Sequence, residues 1–411
     1  MAKKSVLVGQ SGGPTTVINA SLAGVLETAL ANDAIENVYG VLNGIKGILD
    51  ETIIDIKNES SDEIHKLLNT PSSMLGSVRY KLASFKDDET DYKKIKEVFE
   101  KLNIGHFFYI GGNDSMDTCN KINEYFKHIN FDCTVFGVPK TVDNDLILTD
   151  HTPGYGSSIK YIANTIAEIY QDMSCYKKGK VTIVEIMGRD AGWLTAGCKL
   201  ASLVNNGADL IYLPEVAFDV EAFLEKVDAI YKQKGHALIA ISEGIRDKNG
   251  KYILTYSATG AEDEFGHMQL GGVASVLTSI VSNRLHLPTR SIELNLPQRC
   301  ASHIASLTDI NESYNLGKNA LLFSLEGISG KMSALERVSS NPYEVKYKYV
   351  DLTHVANSVK EVPLNYITSD GSQITDEFIE YALPLIKGNI SNLNELGLVT
   401  FAKFNKQLIK F

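Results

Sequence analysis

A lysine, a threonine and two aspartates crowd the run Pro139-Lys140-Thr141-Val142-Asp143-Asn144-Asp145, directly after the apolar stretch Val135 to Val138. These types form the set needed to move a phosphoryl group: a cation, a positioned hydroxyl, a proton acceptor and a metal-holding carboxylate. Asp143 and Asp145 stand two apart, so in extended backbone they point to the same side, one as base and the other toward Mg2+. A second cluster, Gly111-Gly112-Asn113-Asp114-Ser115, follows the apolar Phe107 to Ile110. Two glycines at a strand end, before a helix, let backbone N–H groups approach an anion. Asp114 opposes that use, unless a cation shares the site or exclusion is its job. Gly12-Gly13-Pro14, after Val6 to Val8, is a further candidate phosphate cradle.

The second half of the chain adds a cationic group. Met187-Gly188-Arg189 ends the run Val181 to Ile186, and its guanidinium can grip a phosphate in a bidentate fork. Glu243 follows Ala237 to Ile241 and suits sugar hydroxyls; Lys180, Arg290 and Arg299 complete a set fit for a phosphorylated metabolite. Gly266-His267-Met268 reads as packing rather than chemistry.

The elements that must position these residues recur as a unit: an apolar run, a glycine-containing turn, a helical pattern. Helices are expected from Val17 to Ala31, through Met116, Cys119, Ile122 and Phe126, and through Ile159, Ile162, Ile166, Ile169 and Met173, the last capped by serine. Continuous apolar strands alternating with helices imply an α/β protein with parallel sheets covered on both faces. The polar clusters fall at strand carboxyl ends, where such sheets bind ligands. Residues 330 to 365 read as strands and loops, Asp376 to Gly388 as a helix, and Thr152 to Gly156 as the domain boundary.

Bulk properties narrow the class. A chain of 411 residues with 44% hydrophobic content is long for one average domain and ample for two. The net charge of −10 and a pI near 5.5 disfavour nucleic acid as a partner. No apolar stretch is long enough to span a bilayer, and the start Met-Ala-Lys-Lys is no secretory leader. Five scattered cysteines form no CxxC pair, which points to free thiols in a reducing cytoplasm.

In order and spacing over residues 5 to 320, Ser11-Gly12-Gly13, the Gly111 cluster, Pro139 to Asp145, Met187-Gly188-Arg189, Ser242-Glu243-Gly244 and Gln298-Arg299 resemble the 6-phosphofructokinase family. The resemblance implies two Rossmann-like three-layer domains with mainly parallel sheets facing a cleft. Residues 1–155 plus 298–365 would bind the phosphoryl donor, and 156–297 plus 366–411 the sugar phosphate. It implies fructose 6-phosphate as acceptor, with Asp143 as the base on its 1-hydroxyl, Thr141 on the phosphoryl or sugar, and Val142 in the same substrate segment. Met187, Gly188 and Arg189 would bind the sugar, Glu243 its hydroxyls, and Arg290, Leu296 and Arg299 its 6-phosphate. Lys180 stands where another arginine is usual. Arg290 typically serves a neighbouring subunit, so a homo-oligomer is implied.

Two positions divide the family by donor. Members that use inorganic pyrophosphate carry Asp and Lys where Asp114 and Lys140 stand; ATP-dependent members carry glycine or another small residue. Gly12, Gly13, Gly112 and Ser115 would line the donor site, with Arg79 and neighbouring Lys81 beside it. Asn113 replaces the usual Asp, offering Mg2+ a neutral oxygen next to Asp145. The alternatives are an ATP-dependent or other sugar-phosphate kinase, a regulatory subunit without chemistry, and a nicotinamide-nucleotide or lipid kinase.

Overall fold

The computed structural model describes residues 3–256, 272–355, 358–390 and 392–410; Gly266-His267-Met268 lie outside the described residues. The strands are β1 (Lys4–Gln10), β2 (Ile35–Val41), β3 (Ile53–Asp55), β4 (Ile104–Gly111), β5 (Thr134–Pro139) and β6 (Val181–Ile186). They continue with β7 (Leu210–Tyr212), β8 (Ala237–Ser242), β9 (Thr289–Glu293), β10 (Lys331–Ser340) and β11 (Tyr343–Asp351). Two sheets result, one ordered β11-β10-β5-β4-β1-β2-β3 and the other β7-β8-β6-β9. The second sheet is wholly parallel, and the first is parallel apart from β2–β3 and β10–β11.

Alternation along the strands builds three layers. Val6, Val8, Phe108 and Ile110 face helices Ile18–Leu30 and Leu307–Leu325, while Leu7, Phe107 and Tyr109 face helices Thr90–Lys101 and Asn113–His128. In the second sheet Val184 and Ile186 pack on Ile159, Ile162 and Trp193, and Ile183 and Ile241 pack on Phe223 and Leu277. Both faces are apolar, which is why these strands read as unbroken hydrophobic runs.

Three expectations change. Helix Tyr155–Ser174 has no serine cap; the Asp309 carboxylate of helix Leu307–Leu325 accepts the N–H groups of Gly154 at 3.0 Å and Ser157 at 2.9 Å instead. The expected helix from Asp376 ends at Ala382 and continues as a short 3-10 turn, Leu383–Ile386. The expected division gave 366–411 to the second sheet, yet residues 402–409 run back along the first. There Glu59 accepts the N–H groups of Asn405 and Lys406, and Ile409 N–H donates to Ile53 at 2.9 Å.

Helices Ile18–Leu30 and Leu307–Leu325 touch backbone to backbone. A Cβ on Gly24 would lie 2.0 Å from the Tyr314 carbonyl oxygen, and one on Gly317 would lie 2.1 Å from that of Ser21. The first of these helices leads directly out of the Gly12-Gly13 turn, so their spacing fixes that turn. Gly24→Ala is expected to lower stability by about 2–3 kcal/mol in urea unfolding; an unchanged midpoint would mean the helices are not in this contact.

Candidate active site

Adjacent strands bring the first three clusters together. Ser11 N–H donates to the Ile110 carbonyl at 2.9 Å, and Lys140 N–H donates to that of Gly111 at 2.9 Å. The turn after β1 passes through Gly12 at φ 74°, a left-handed backbone that favours glycine. Lys140 is 3% exposed, and its ammonium donates to the Gly13 carbonyl at 2.5 Å. Burial pulls the Lys140 pKa down to about 8 against the attraction of Asp143 and Asp145, with Arg299 lowering it further. The Ser77 hydroxyl holds the Gly12 carbonyl at 2.6 Å, while Arg79 and Lys81 lie exposed just beyond. Asp114 is exposed in the first turn of helix Asn113–His128, after the half-buried Gly112, and Ser115 is buried beneath it.

The carboxylate pair is not set by strand alternation. β5 ends at Pro139, and Asn144 takes a left-handed φ of 53°, so Asp143 and Asp145 come together around a turn rather than along an extended run. The Thr141 hydroxyl accepts the Asp143 N–H at 3.1 Å, and the Thr141 carbonyl accepts the Thr152 hydroxyl at 2.7 Å. Val142 sends its side chain into the core of the second sheet's body. Burial pushes the Asp143 pKa up to about 7; Asp145 and Glu243 raise it further, and Lys140 and Arg299 oppose them. Asp145 is raised too, again chiefly by burial.

Asn113 and Asp145 test the fit of a metal ion. Asn113 Nδ2 donates to Asp145 Oδ2 at 3.5 Å, while the amide oxygen Asn113 Oδ1 and the second carboxylate oxygen, Asp145 Oδ1, are buried without a hydrogen-bond partner. Two buried orphaned oxygens on neighbouring side chains suit a hard cation such as Mg2+ that draws its other ligands from a bound substrate. Among the described residues no group of three His, Cys, Asp or Glu forms a cage by itself.

The second sheet supplies the facing wall. Glu243 N–H donates to the Ile186 carbonyl at 3.0 Å, and Glu243 Oε1 accepts the Gly188 N–H at 3.2 Å. Burial raises the Glu243 pKa, opposed by that N–H and by Arg189, whose Nε is buried without a partner. Met187 N–H donates to Gln298 Oε1 at 3.2 Å, which ties the Met187-Gly188-Arg189 segment to the turn carrying Leu296 and Arg299. Leu296 is 57% exposed. Arg299 reaches the glycine turn of the first sheet: its Nη1 lies 3.2 Å from where a Cβ on Gly13 would stand.

Lys180 and Arg290 do not join this group. Lys180 precedes β6 and Arg290 pairs with Thr182 early in that strand, so both sit near its amino end, whereas Arg189 lies beyond its carboxyl end. Six residues at 3.3 Å each put about 20 Å between the two ends. Both are exposed, and Arg290 pairs with Asp172 at 3.5 Å.

Sequence reasoning missed the residues that hold the loop. Asn144 Oδ1 accepts the Thr152 N–H at 3.1 Å and the Lys360 ammonium at 3.1 Å, and Asn144 Nδ2 donates to the Tyr381 hydroxyl at 2.9 Å. His151 lies between Asp150 at 2.8 Å and Glu312 at 2.7 Å, and Arg337 pairs with Asp150 at 2.9 Å. The one usable signal was Asn144 itself, since Asn tolerates left-handed turns. Nothing local marks Lys360 or Tyr381, which arrive from far along the chain.

Glycine turns, a buried cation and a desolvated carboxylate pair at the carboxyl ends of two doubly wound sheets are the parts a phosphotransferase needs. A family model described as Phosphofructokinase matches residues 5–292. A pyrophosphate–fructose 6-phosphate 1-phosphotransferase of Methylococcus capsulatus is 41% identical over 392 residues, covering 94% of this chain and 93% of the relative. One from Halomonas elongata is 39% identical, covering 100% and 98%. The crystal structure of a pyrophosphate-dependent phosphofructokinase from Nitrosospira multiformis matches with a TM-score of 0.90 at 38% identity, covering 100% of this chain and 98% of that one. The chain belongs to the phosphofructokinase family.

Folding holds the Asp143 proton more tightly than the unfolded chain does, so the ionised side chain opposes folding. That penalty grows as pH rises from the ordinary carboxylate range and is complete above about 7. Asp143→Asn should therefore be more stable than wild type at pH 8 by about 1–2 kcal/mol, with allowance for residual solvent contact, and equal to it near pH 4. The same variant should lose about 10²–10⁴ of its turnover. A melting temperature at pH 8 no higher than wild type would contradict the desolvated carboxylate.

Proposed function

We propose that the chain transfers a phosphoryl group between inorganic pyrophosphate and the 1-hydroxyl of fructose 6-phosphate, giving fructose 1,6-bisphosphate and phosphate, in either direction. Lys140 carries this reading: a buried ammonium sits at the glycine turn and beside the candidate base. In the forward direction Asp143 takes the proton of the sugar hydroxyl. The freed oxygen forms a bond to the near phosphorus, the bridging P–O bond breaks, and the electron pair leaves with phosphate. Lys140 and Arg189 offset the charge on the transferring group, and Glu243 fixes the sugar hydroxyls. Mg2+ held by Asn113 and Asp145 would supply charge neutralisation to the donor.

The donor preference follows from two side chains. Asp114 sets a negative charge at the mouth of the anion site. At about 4 Å, a like-charge contact costs roughly 1–4 kcal/mol, about fivefold to several-hundredfold in affinity, against a nucleotide with a third phosphate. Lys140 meets the departing phosphate of the shorter donor. The first sheet's body thus serves the donor and the second's the sugar. We read Lys180 and Arg290 as serving the 6-phosphate in a neighbouring subunit, since a strand's length separates them from their own Arg189. The five free thiols are in keeping with a reducing cytoplasm.

Replacing Asp114 and Lys140 together by glycine is expected to cut the pyrophosphate rate by at least about 10²-fold and to turn the preference toward ATP. An unmoved preference would sink this account of the donor. The pH profile provides a separate check. Asp143 must be ionised and Lys140 protonated, so kcat/KM should fall below about 7 and above about 8, as a narrow bell. A plateau extending to pH 5 would remove Asp143 as base.

A further inference from the structure

Lys360 ties the catalytic loop of one sheet to the sugar segment of the other. Its ammonium donates to Asn144 Oδ1 at 3.1 Å, to the Thr149 carbonyl at 3.3 Å and to the Asp150 carbonyl at 2.9 Å. Its backbone N–H donates to the Asp145 carbonyl at 2.8 Å. All the main-chain and side-chain donors named so far therefore point into residues 144–150, the stretch that begins one residue after Asp143.

The rest of Lys360 faces the other way. Its carbonyl accepts the indole N–H of Trp193 at 2.7 Å, and its ammonium lies 5.3 Å from the centre of that ring. Trp193 is 3% exposed, follows Arg189 by four residues and packs on Tyr155, Tyr366 and Tyr381. Two residues on, the Val362 N–H donates to Glu215 Oε1 at 2.9 Å, and the same oxygen accepts the Gly192 N–H at 2.8 Å. Segment 360–362 thus holds the Asp143 loop with one set of bonds and the Arg189 segment with another. Tyr381 reinforces the joint: its hydroxyl accepts from Asn144 Nδ2 and donates to the Asp150 carbonyl, and its ring packs on Trp193.

We propose that Lys360 is a positioning residue that sets the distance between the base carboxylate and the sugar-binding segment, with Trp193 as its anchor in the second body. Lys360 touches no reacting atom. It acts by fixing the turn that aims Asp143 and by coupling that turn to Arg189, so it governs turnover more than binding. This rests on Asp143 being the base and Arg189 a substrate ligand. The chain contains a single tryptophan, so its fluorescence reports on this joint alone.

The test compares Lys360→Met, Lys360→Arg and Trp193→Phe with wild type and with Asp143→Asn. For Lys360→Met, kcat should fall about tenfold to hundredfold, as expected for a misplaced base. KM for pyrophosphate and for fructose 6-phosphate should each stay within about threefold. Trp193 emission should move to longer wavelength and lose its response to added fructose 6-phosphate. Lys360→Arg, which keeps charge and donors, should recover much of the turnover. Trp193→Phe keeps an apolar ring without the N–H and should lose severalfold in kcat, which decides the matter should Lys360→Met not fold. The proposal is overturned if Lys360→Met turns over like wild type, if its emission and ligand response stay native, if Lys360→Arg is no better than Lys360→Met, or if Trp193→Phe leaves kcat unchanged. Wild-type turnover and its loss in Asp143→Asn test the underlying reading separately, because neither depends on Lys360.

Discussion

One ammonium group organises the centre of this molecule. Lys140 is nearly inaccessible to water, yet it stands among Asp143 and Asp145 and holds the Gly13 carbonyl. Isolated burial of a charge is costly, and here carboxylates and a backbone dipole compensate it. The same burial that lowers the lysine pKa raises that of Asp143, so one desolvated pocket tunes an acid and a base toward each other. Remove water, and both shifts appear; admit it, and both relax.

Keeping that pocket closed is the work of the loop after β5 and of its distant supports. The loop crosses from the first sheet to the second, with Val142 in the second core and Thr141 bridged to Gly154. Asp309 caps the helix that follows, and the Asp150–His151–Glu312 network anchors the loop's far end. Strong neighbouring carboxylates hold the His151 pKa up at about 9 despite burial, so the network stays charged at neutral pH. A rigid frame around a desolvated centre is what electrostatic preorganisation requires.

Much of this was legible in the sequence, and the reasons are local. Strands buried on both faces read as apolar runs, and glycines at their ends marked the turns, so Gly12-Gly13, Gly111 and Met187-Gly188-Arg189 could be placed at strand carboxyl ends. The geometry of Asp143 and Asp145 was misjudged because a left-handed Asn144 replaces the extended backbone that alternation assumes. The helix cap at Tyr155 was misjudged for a different reason: Asp309 lies 152 residues from Ser157, and periodicity carries no information at that range. Lys360 and the tail that returns to Glu59 escaped for the same cause. Lys180 and Arg290 were recognisable by type, but their position at the wrong end of β6 emerges only from the strand register.

A charge pattern, Asp114 with Lys140, is proposed to select the donor. Its most direct test is a coupled assay of the unaltered protein with fructose 6-phosphate, comparing kcat/KM for pyrophosphate with that for ATP. The account predicts at least a hundredfold preference for pyrophosphate, about the upper part of the like-charge range. Equal rates with the two donors, or a faster rate with ATP, would contradict it.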